Sequence, residues 1–244
     1  MDNLTIMLID PEDLTTDLER LEAVEKATLR LVTQALFDYR HIAKYIFENE
    51  TDKEADIGED ITREALERMG VSKIDQRLFG KVDYKRAKYL FLPDFAIRQA
   101  LFVDSKAEAT SGAGVARLQI TQLSMRVRQV RNGKDLDVPG LLPKIVSLNE
   151  QSFLTTTVFV KYNYRKLQTN EKKLESITVA ALPNGLLQDR YNPTAKETIF
   201  LAGPDAPSLG EKFRTRLSFS KLEHRASWRV QRISIANNIF NWTD

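Results

Sequence analysis

The sequence has no cysteine and only two histidines, His41 and His224. Without cysteine there are no disulfides, no thiolate nucleophile and no cysteine-based zinc site. One isolated histidine in each half cannot easily furnish a zinc nuclease centre or a Ser-His-Asp triad. Long apolar runs are absent too. None approaches the length that spans a bilayer, and the start, Met1-Asp2-Asn3-Leu4, lacks the basic residues of a signal peptide. The sequence therefore implies a cytoplasmic protein. Glycine is sparse where it would matter for nucleotide binding: Gly112 and Gly114 are followed by no Gly-Lys-Ser/Thr. No internal repeat and no low-complexity segment appears.

What is present describes one sizeable globular body. The 244 residues, 42% hydrophobic and 29% charged, can bury an ordinary core. The net charge of +2 hides a division. Residues 1–60 carry 16 acids against 6 bases, whereas residues 61–244 carry 18 acids against 30 bases. A basic body with an acidic N-terminal part suits a polyanion touched by one region only, although basicity alone does not establish a nucleic-acid partner.

The stretch with most chemical content is Leu101-Phe102-Val103-Asp104-Ser105-Lys106. Three large apolar residues ending in acid, small residue and lysine read as a buried strand that emerges from a core and presents charge. Asp104 and Lys106 are two apart and share a strand face. The carboxylate can hold a divalent cation while the ammonium approaches the same phosphate or water, the arrangement of a Mg²⁺-dependent phosphodiesterase. The tripeptide alone is weak evidence. Acid-x-Lys occurs three times, at Asp83-Tyr84-Lys85, Asp104-Ser105-Lys106 and Glu171-Lys172-Lys173, and about two are expected by chance. The last lies in a polar turn. The other two follow apolar segments and can be rigidly placed.

Along the chain, apolar spacing predicts a long helix over residues 13–49, with Thr15, Thr16 or Asp17 as its cap and a break near Asp38. A second helix is expected from Glu59 or Asp60 to Gly70. Its first-turn acids suit the helix dipole, and either could also serve a metal. Strands follow around Val82–Leu90 and Ile97–Val103, separated by the turn Leu92-Pro93-Asp94. Residues 115–130, rich in Arg and Gln, read as a helix that either lines a phosphate backbone or is simply solvated. Arg131-Asn132-Gly133-Lys134 is a turn. Segments 155–164 and 176–182 are the strongest strand signals and predict a core hairpin across a turn near Asn170. In Lys212–Phe219, Phe213, Thr215, Leu217 and Phe219 share one face, and Lys212, Arg214, Arg216 and Ser218 the other. Bases aligned this way can reach a major groove, or can protect an edge strand. A short helix near Leu222 and a strand over residues 228–235 close the chain.

These residues carry a family resemblance. Val82-Asp83-Tyr84-Lys85-Arg86, followed by Leu101-Phe102-Val103-Asp104-Ser105-Lys106-Ala107, resembles the SfiI-like, BglI-related type II restriction endonucleases of the PD-(D/E)xK superfamily. Further similar stretches are Val24-Glu25-Lys26 to Gln34-Ala35-Leu36, Glu59-Asp60-Ile61-Thr62, Val158-Phe159-Val160 to Tyr164-Arg165, Arg190-Tyr191-Asn192-Pro193, and Gly210-Glu211 to Arg216. The resemblance implies an α/β fold with a central mixed sheet flanked by helices and a long N-terminal helix. It implies a single endonuclease domain over 1–244, with an acidic helical part at 1–60, catalytic strands and a following helix at 79–130, and sheet and DNA-recognition elements at 150–236. Asp83, Asp104 and Lys106 match the family's catalytic set. Asp83, Asp104 and the Ser105 carbonyl would hold Mg²⁺. Lys85, Arg86, Lys212, Arg214 and Arg216 would contact DNA. Pro93-Asp94, which a literal motif search would select, becomes a decoy.

The implied activity is cleavage of duplex DNA at an interrupted, G·C-rich palindrome with short 3′ overhangs, by a homodimer or homotetramer paired functionally with a cognate DNA methyltransferase. Two other readings stand beside it: a structure-specific repair or recombination nuclease of the same fold, and a DNA-binding protein that no longer cleaves. The first predicts no sequence preference. The second would normally have lost an acid or the lysine, and all three are present.

Overall fold

The computed structural model describes residues 8–50, 53–73, 87–109, 114–168, 171–202 and 215–244. A helix of 32 residues, α1 (Leu18–Asn49), starts where the Asp17 carboxylate accepts the Arg20 amide at 3.0 Å. No break occurs at Asp38, because Ala35, Leu36, Tyr39, Ala43 and Phe47 keep the helical spacing of the buried face beyond it. Helix α2 (Glu54–Arg68) begins five residues earlier than the acids Glu59 and Asp60 suggested. It ends where Gly70, at φ +74°, turns the chain so that the Val71 amide reaches back to the Leu66 carbonyl.

The strands follow as β1 (Ser72–Lys73), β2 (Lys88–Leu92), β3 (Ile97–Ala109), β4 (Val115–Leu118), β5 (Val127–Arg131), β6 (Lys134–Val138), β7 (Ile145–Leu148), β8 (Gln151–Lys166) and β9 (Lys172–Leu182). After a short helix α3 (Gln188–Tyr191) come β10 (Phe200–Ala202), β11 (Thr215–Ser218), helix α4 (Phe219–Arg225) and β12 (Val230–Ser234). Among the described residues seven strands form the main sheet in the order β1-β2-β3-β8-β9-β12, with β7 also on β8. The sheet is mixed: β3 and β8 run parallel and the other pairs antiparallel. The expected core hairpin is β8 with β9; its turn near Asn170 lies outside the described residues.

One face of this sheet, with Leu101, Val158, Val160, Tyr162, Ile177 and Val179, packs on α1 and α2. The opposite face, with Phe159, Ala180 and Val230, meets a second core built with Ala116, Leu118, Leu217 and Phe219. Ala116, Leu118 and Leu217 belong to a smaller three-stranded sheet, β10-β11-β4, and Phe219 opens α4. A single strand thus supplies side chains to both layers by alternation.

The helix expected over residues 115–130 is instead β4, a one-turn 3-10 segment (Ile120–Gln122) and β5. Strand β5 forms a hairpin with β6 through Asn132 (φ 49°) and Gly133 (φ 74°), the two left-handed positions that a tight two-residue turn requires. Side chains serve the backbone between the strands. Asn192 Nδ2 donates to the Arg126 carbonyl at 2.7 Å, and Gln188 Oε1 accepts the Arg126 amide at 2.8 Å. Gly140 closes on the same segment: a Cβ there would stand 2.2 Å from the Leu123 carbonyl oxygen. No helix among the described residues is long and apolar enough to cross a membrane.

Candidate active site and DNA-contacting face

Strand β3 places the site. Leu101, Val103 and Ala107 face the helices, while Ala100 and Phe102 lie in a separate cluster on the other side with Ala87 and Phe153. Alternation carries Asp104, Lys106 and Glu108 onto that other face. Asp104 is 3% exposed and its Oδ2 lies 3.5 Å from Lys106 Nζ, whose side chain is 32% exposed. A buried carboxylate beside a half-buried ammonium is a charge held ready with its counter-charge next to it.

Ser105 points the opposite way. Its hydroxyl donates to Thr62 Oγ1 on α2 at 2.7 Å; Thr62 donates to the Gly58 carbonyl at 3.0 Å and shares a 2.7 Å bond with the Tyr162 hydroxyl. Burial raises the Tyr162 pKa, the bond to Thr62 opposing it, so the phenol stays protonated. Gly58 permits this approach, since a Cβ there would stand 3.0 Å from Tyr162 Cδ2. With its hydroxyl engaged on α2, Ser105 has only its backbone carbonyl to offer a cation.

Helix α2 packs against the face of β3 that Ser105 occupies, so Glu59 and Asp60 ride on the side of the sheet opposite to the Asp104 carboxylate. Glu59 is exposed and Asp60 pairs with Arg63 at 2.7 Å. With α2 starting at Glu54 they lie in its second turn, so the first-turn dipole role expected of them falls to Glu54 and Asp56 instead. Asp94 sits exposed in the 3-10 turn Pro93–Phe95 that precedes β3. Seven residues of strand separate Ile97 from Asp104, about 23 Å at 3.3 Å per residue. Asp94 therefore cannot share a cation with Asp104. His41 is exposed on α1.

Of the remaining candidates, Arg216 lies half-buried on β11, directly opposite Leu201 of β10 and Arg117 of β4. Its neighbours Thr215 and Leu217 are fully buried on the other face, as the alternation predicted. Ser218 departs from that pattern: it is buried, and its side chain caps α4 by accepting the Lys221 amide at 3.4 Å. Asp83, Lys85, Arg86, Lys212 and Arg214 lie outside the described residues. Among the described residues no three His, Asp or Glu side chains gather as a ready metal cage.

Sequence reasoning missed Glu108 and Lys161. Lys161 on β8 has no side-chain exposure; its Nζ lies 2.7 Å from Glu108 Oε2 and donates to the Val115 carbonyl at 2.6 Å. Burial pushes its ammonium below the usual lysine range, and Glu108 opposes that shift. Glu108 Oε1 also lies 3.8 Å from Arg117 Nε. Two signals were available: Glu108 continues the i, i+2, i+4 face of Asp104 and Lys106, and Lys161 interrupts the apolar run Val158-Phe159-Val160-Lys161-Tyr162.

Comparisons with known proteins bear on the fold and the family. The family model for the type II restriction enzyme SfiI matches residues 38–233. The SfiI enzyme of Streptomyces fimbriatus is 36% identical over 230 residues, 88% of this chain and 85% of that protein. A crystal structure of tetrameric SfiI bound to cognate DNA superimposes with a TM-score of 0.81 at 33% identity, covering 97% of this chain and 91% of the other. BglI bound to its DNA recognition sequence matches with a TM-score of 0.74 at 18% identity over 93% and 94% of the two chains, a likeness of fold. On a match that takes in β3, β8 and the Arg216 strand together, the chain belongs to the SfiI family of type II restriction enzymes, site-specific endonucleases.

Proposed function

We propose that this enzyme cuts both strands of duplex DNA in a Mg²⁺-dependent reaction at an interrupted, G·C-rich palindrome, leaving 5′-phosphate and 3′-hydroxyl ends with short 3′ overhangs. The observation that carries the reading is the pair Asp104 and Lys106, 3.5 Å apart on one face of a buried strand end. The donor set fits a hard cation. It offers a carboxylate with little solvent access and the adjacent Ser105 carbonyl, both oxygen. Asp83 would supply the second carboxylate.

Bound there, Mg²⁺ would lower the pKa of the attacking water and offset charge on the scissile phosphate. The chain's own work falls to Lys106. Its ammonium orients that water and stabilises the negative charge that builds on the phosphoryl oxygens as the new P–O bond forms and the bond to the 3′ oxygen breaks in line. Lys85, Arg86, Lys212, Arg214 and Arg216 would meet the DNA. Support comes from β11 and β4, where Arg216 and Arg117 stand directly opposite. Glu108, 3.8 Å from Arg117, answers one of the two charges, and a DNA backbone would supply an anion against the other.

Each subunit cuts one strand, so the active species would be a homodimer or homotetramer whose two-fold axis matches the palindrome. A DNA methyltransferase of the same specificity would protect the host. Digestion of a fully sequenced large DNA in Mg²⁺, with Ca²⁺ as control, and sequencing of every new end tests all of this at once. Discrete ends around one interrupted motif are expected. Ends clustered at nicks and forks would point to a repair nuclease, and binding without cutting to a DNA-binding protein.

A further inference from the structure

The main sheet carries Asp104 and Lys106, the three-stranded sheet carries Arg117 and Arg216, and the two share no strand ladder among the described residues. Lys161 joins them. It lies on β8 at the register position beside Lys106, and its ammonium holds both Glu108 on β3 and the Val115 carbonyl at the start of β4. A fully buried ammonium is a poor route to stability, since an apolar residue of similar volume avoids the desolvation cost; its best-attested use is to fix one arrangement among alternatives. Two residues beyond Val115, Arg117 faces Glu108 at 3.8 Å, too far for a hydrogen bond, so its guanidinium stays available while being held in direction. Arg117 in turn stands opposite Arg216.

We propose that Glu108 and Lys161 are positioning residues of the endonuclease, a clamp that sets the Arg117–Arg216 strands relative to Asp104 and Lys106 and so makes cutting depend on base contacts. The proposal rests on the reading given under Proposed function. Neither residue touches DNA in this scheme. Glu108 lies two residues along β3 from Lys106 on the same face, so a displacement of β4 by incorrect DNA is transmitted through Arg117 and Val115 to the strand that carries the lysine.

The test uses the site found by digestion. Single-turnover cutting in Mg²⁺ is measured on the cognate duplex and on duplexes with one base pair changed. Affinity in Ca²⁺ and thermal melting are measured alongside, for wild type, Glu108→Gln, Lys161→Met, their double variant and Arg117→Gln. Each single variant should slow cognate cutting about tenfold and narrow the cognate to near-cognate ratio by a similar factor, the size of coupling seen between networked neighbours. For Glu108→Gln and Lys161→Met the Ca²⁺ affinity should hold, and their double variant should be no worse than the poorer single, as for residues acting as one unit. Folded variants with the wild-type ratio overturn the clamp, as do losses that merely follow melting temperature. If the buried pair does not tolerate substitution, Arg117→Gln, on a side chain 52% exposed, must narrow the ratio or the clamp is wrong. Wild-type protein that makes no discrete cuts defeats the parent reading instead, so the two failures are distinguishable.

Discussion

Asp104 and Lys106 share one strand face at 3.5 Å, yet only the lysine reaches solvent: 32% of its side chain is exposed against 3% for the acid. On the proposed reading the acid is the fixed point and the ammonium the part that would meet an incoming phosphate. Lys106→Ala should keep DNA affinity in Ca²⁺ while cleavage in Mg²⁺ falls by about 10²- to 10⁴-fold, the range for a lost proton-handling group. Parallel loss of binding and cutting would make Lys106 a DNA-holding residue instead.

The position of Asp94, exposed in a turn at the far end of β3, separates the two readings of the first carboxylate. Asp94→Ala should cut at the wild-type rate, and Asp83→Ala should lose cutting with Ca²⁺-free binding largely intact. The reverse result would move the metal site to the hairpin turn.

Arg216 faces the same side of β11 as its cross-strand neighbour Arg117, with Thr215 and Leu217 buried behind it. If it bonds a guanine edge, Arg216→Ala should cost about 1 to 3 kcal/mol of discrimination at one base pair. Binding assays on duplexes changed at each position would locate that base pair. A uniform loss across all sequences would assign Arg216 to the phosphate backbone.

How much of this was legible follows residue by residue. The face shared by Asp104 and Lys106, a cap among Thr15, Thr16 and Asp17, and the β8-β9 hairpin needed only period and propensity. The 115–130 segment was misread because Arg and Gln favour helices, whereas pairing of β4 with β11 and of β5 with β6 overrides propensity. The Asn132-Gly133 pair between Val130 and Leu136 was the available hairpin signal. What no local pattern contains is which distant charges meet. Glu108 finds Lys161 because β3 and β8 lie side by side, and Glu22 on α1 accepts from Arg190 and Tyr191 across the fold.

That second meeting centres on Arg229, fully buried, with Nη2 2.7 Å from Glu25 and 3.2 Å from Glu22, and its guanidinium stacked 4.2 Å from the Tyr191 ring and 4.3 Å from the Trp228 ring. Burial raises the Glu25 pKa, and Arg229 opposes the rise. Arg229→Met would leave an uncompensated buried carboxylate and should cost about 3 to 5 kcal/mol at pH 7, measured by urea denaturation. Adding Glu25→Gln should recover part of the loss, since removing both charges avoids the unpaired one. A double variant as unstable as the sum of the two singles would show that packing around the guanidinium, not charge, is what matters.

Glu22 titrates in the opposite sense to Glu25. Burial alone would raise it, but bonds from Tyr191 and Arg229 together with Arg190 at 2.6 Å hold its carboxyl below the ordinary 4.5. A native pKa below the unfolded one means that the unfolded chain binds the proton first, so the stabilisation is complete above about pH 4.5 and drains away as pH falls through the native value. The stability gap between wild type and Glu22→Gln should therefore stay constant from neutral pH down to about 5 and close below 4.5, read from melting curves at successive pH values. A gap that widened on acidification would mean that burial, not the three partners, governs this carboxylate.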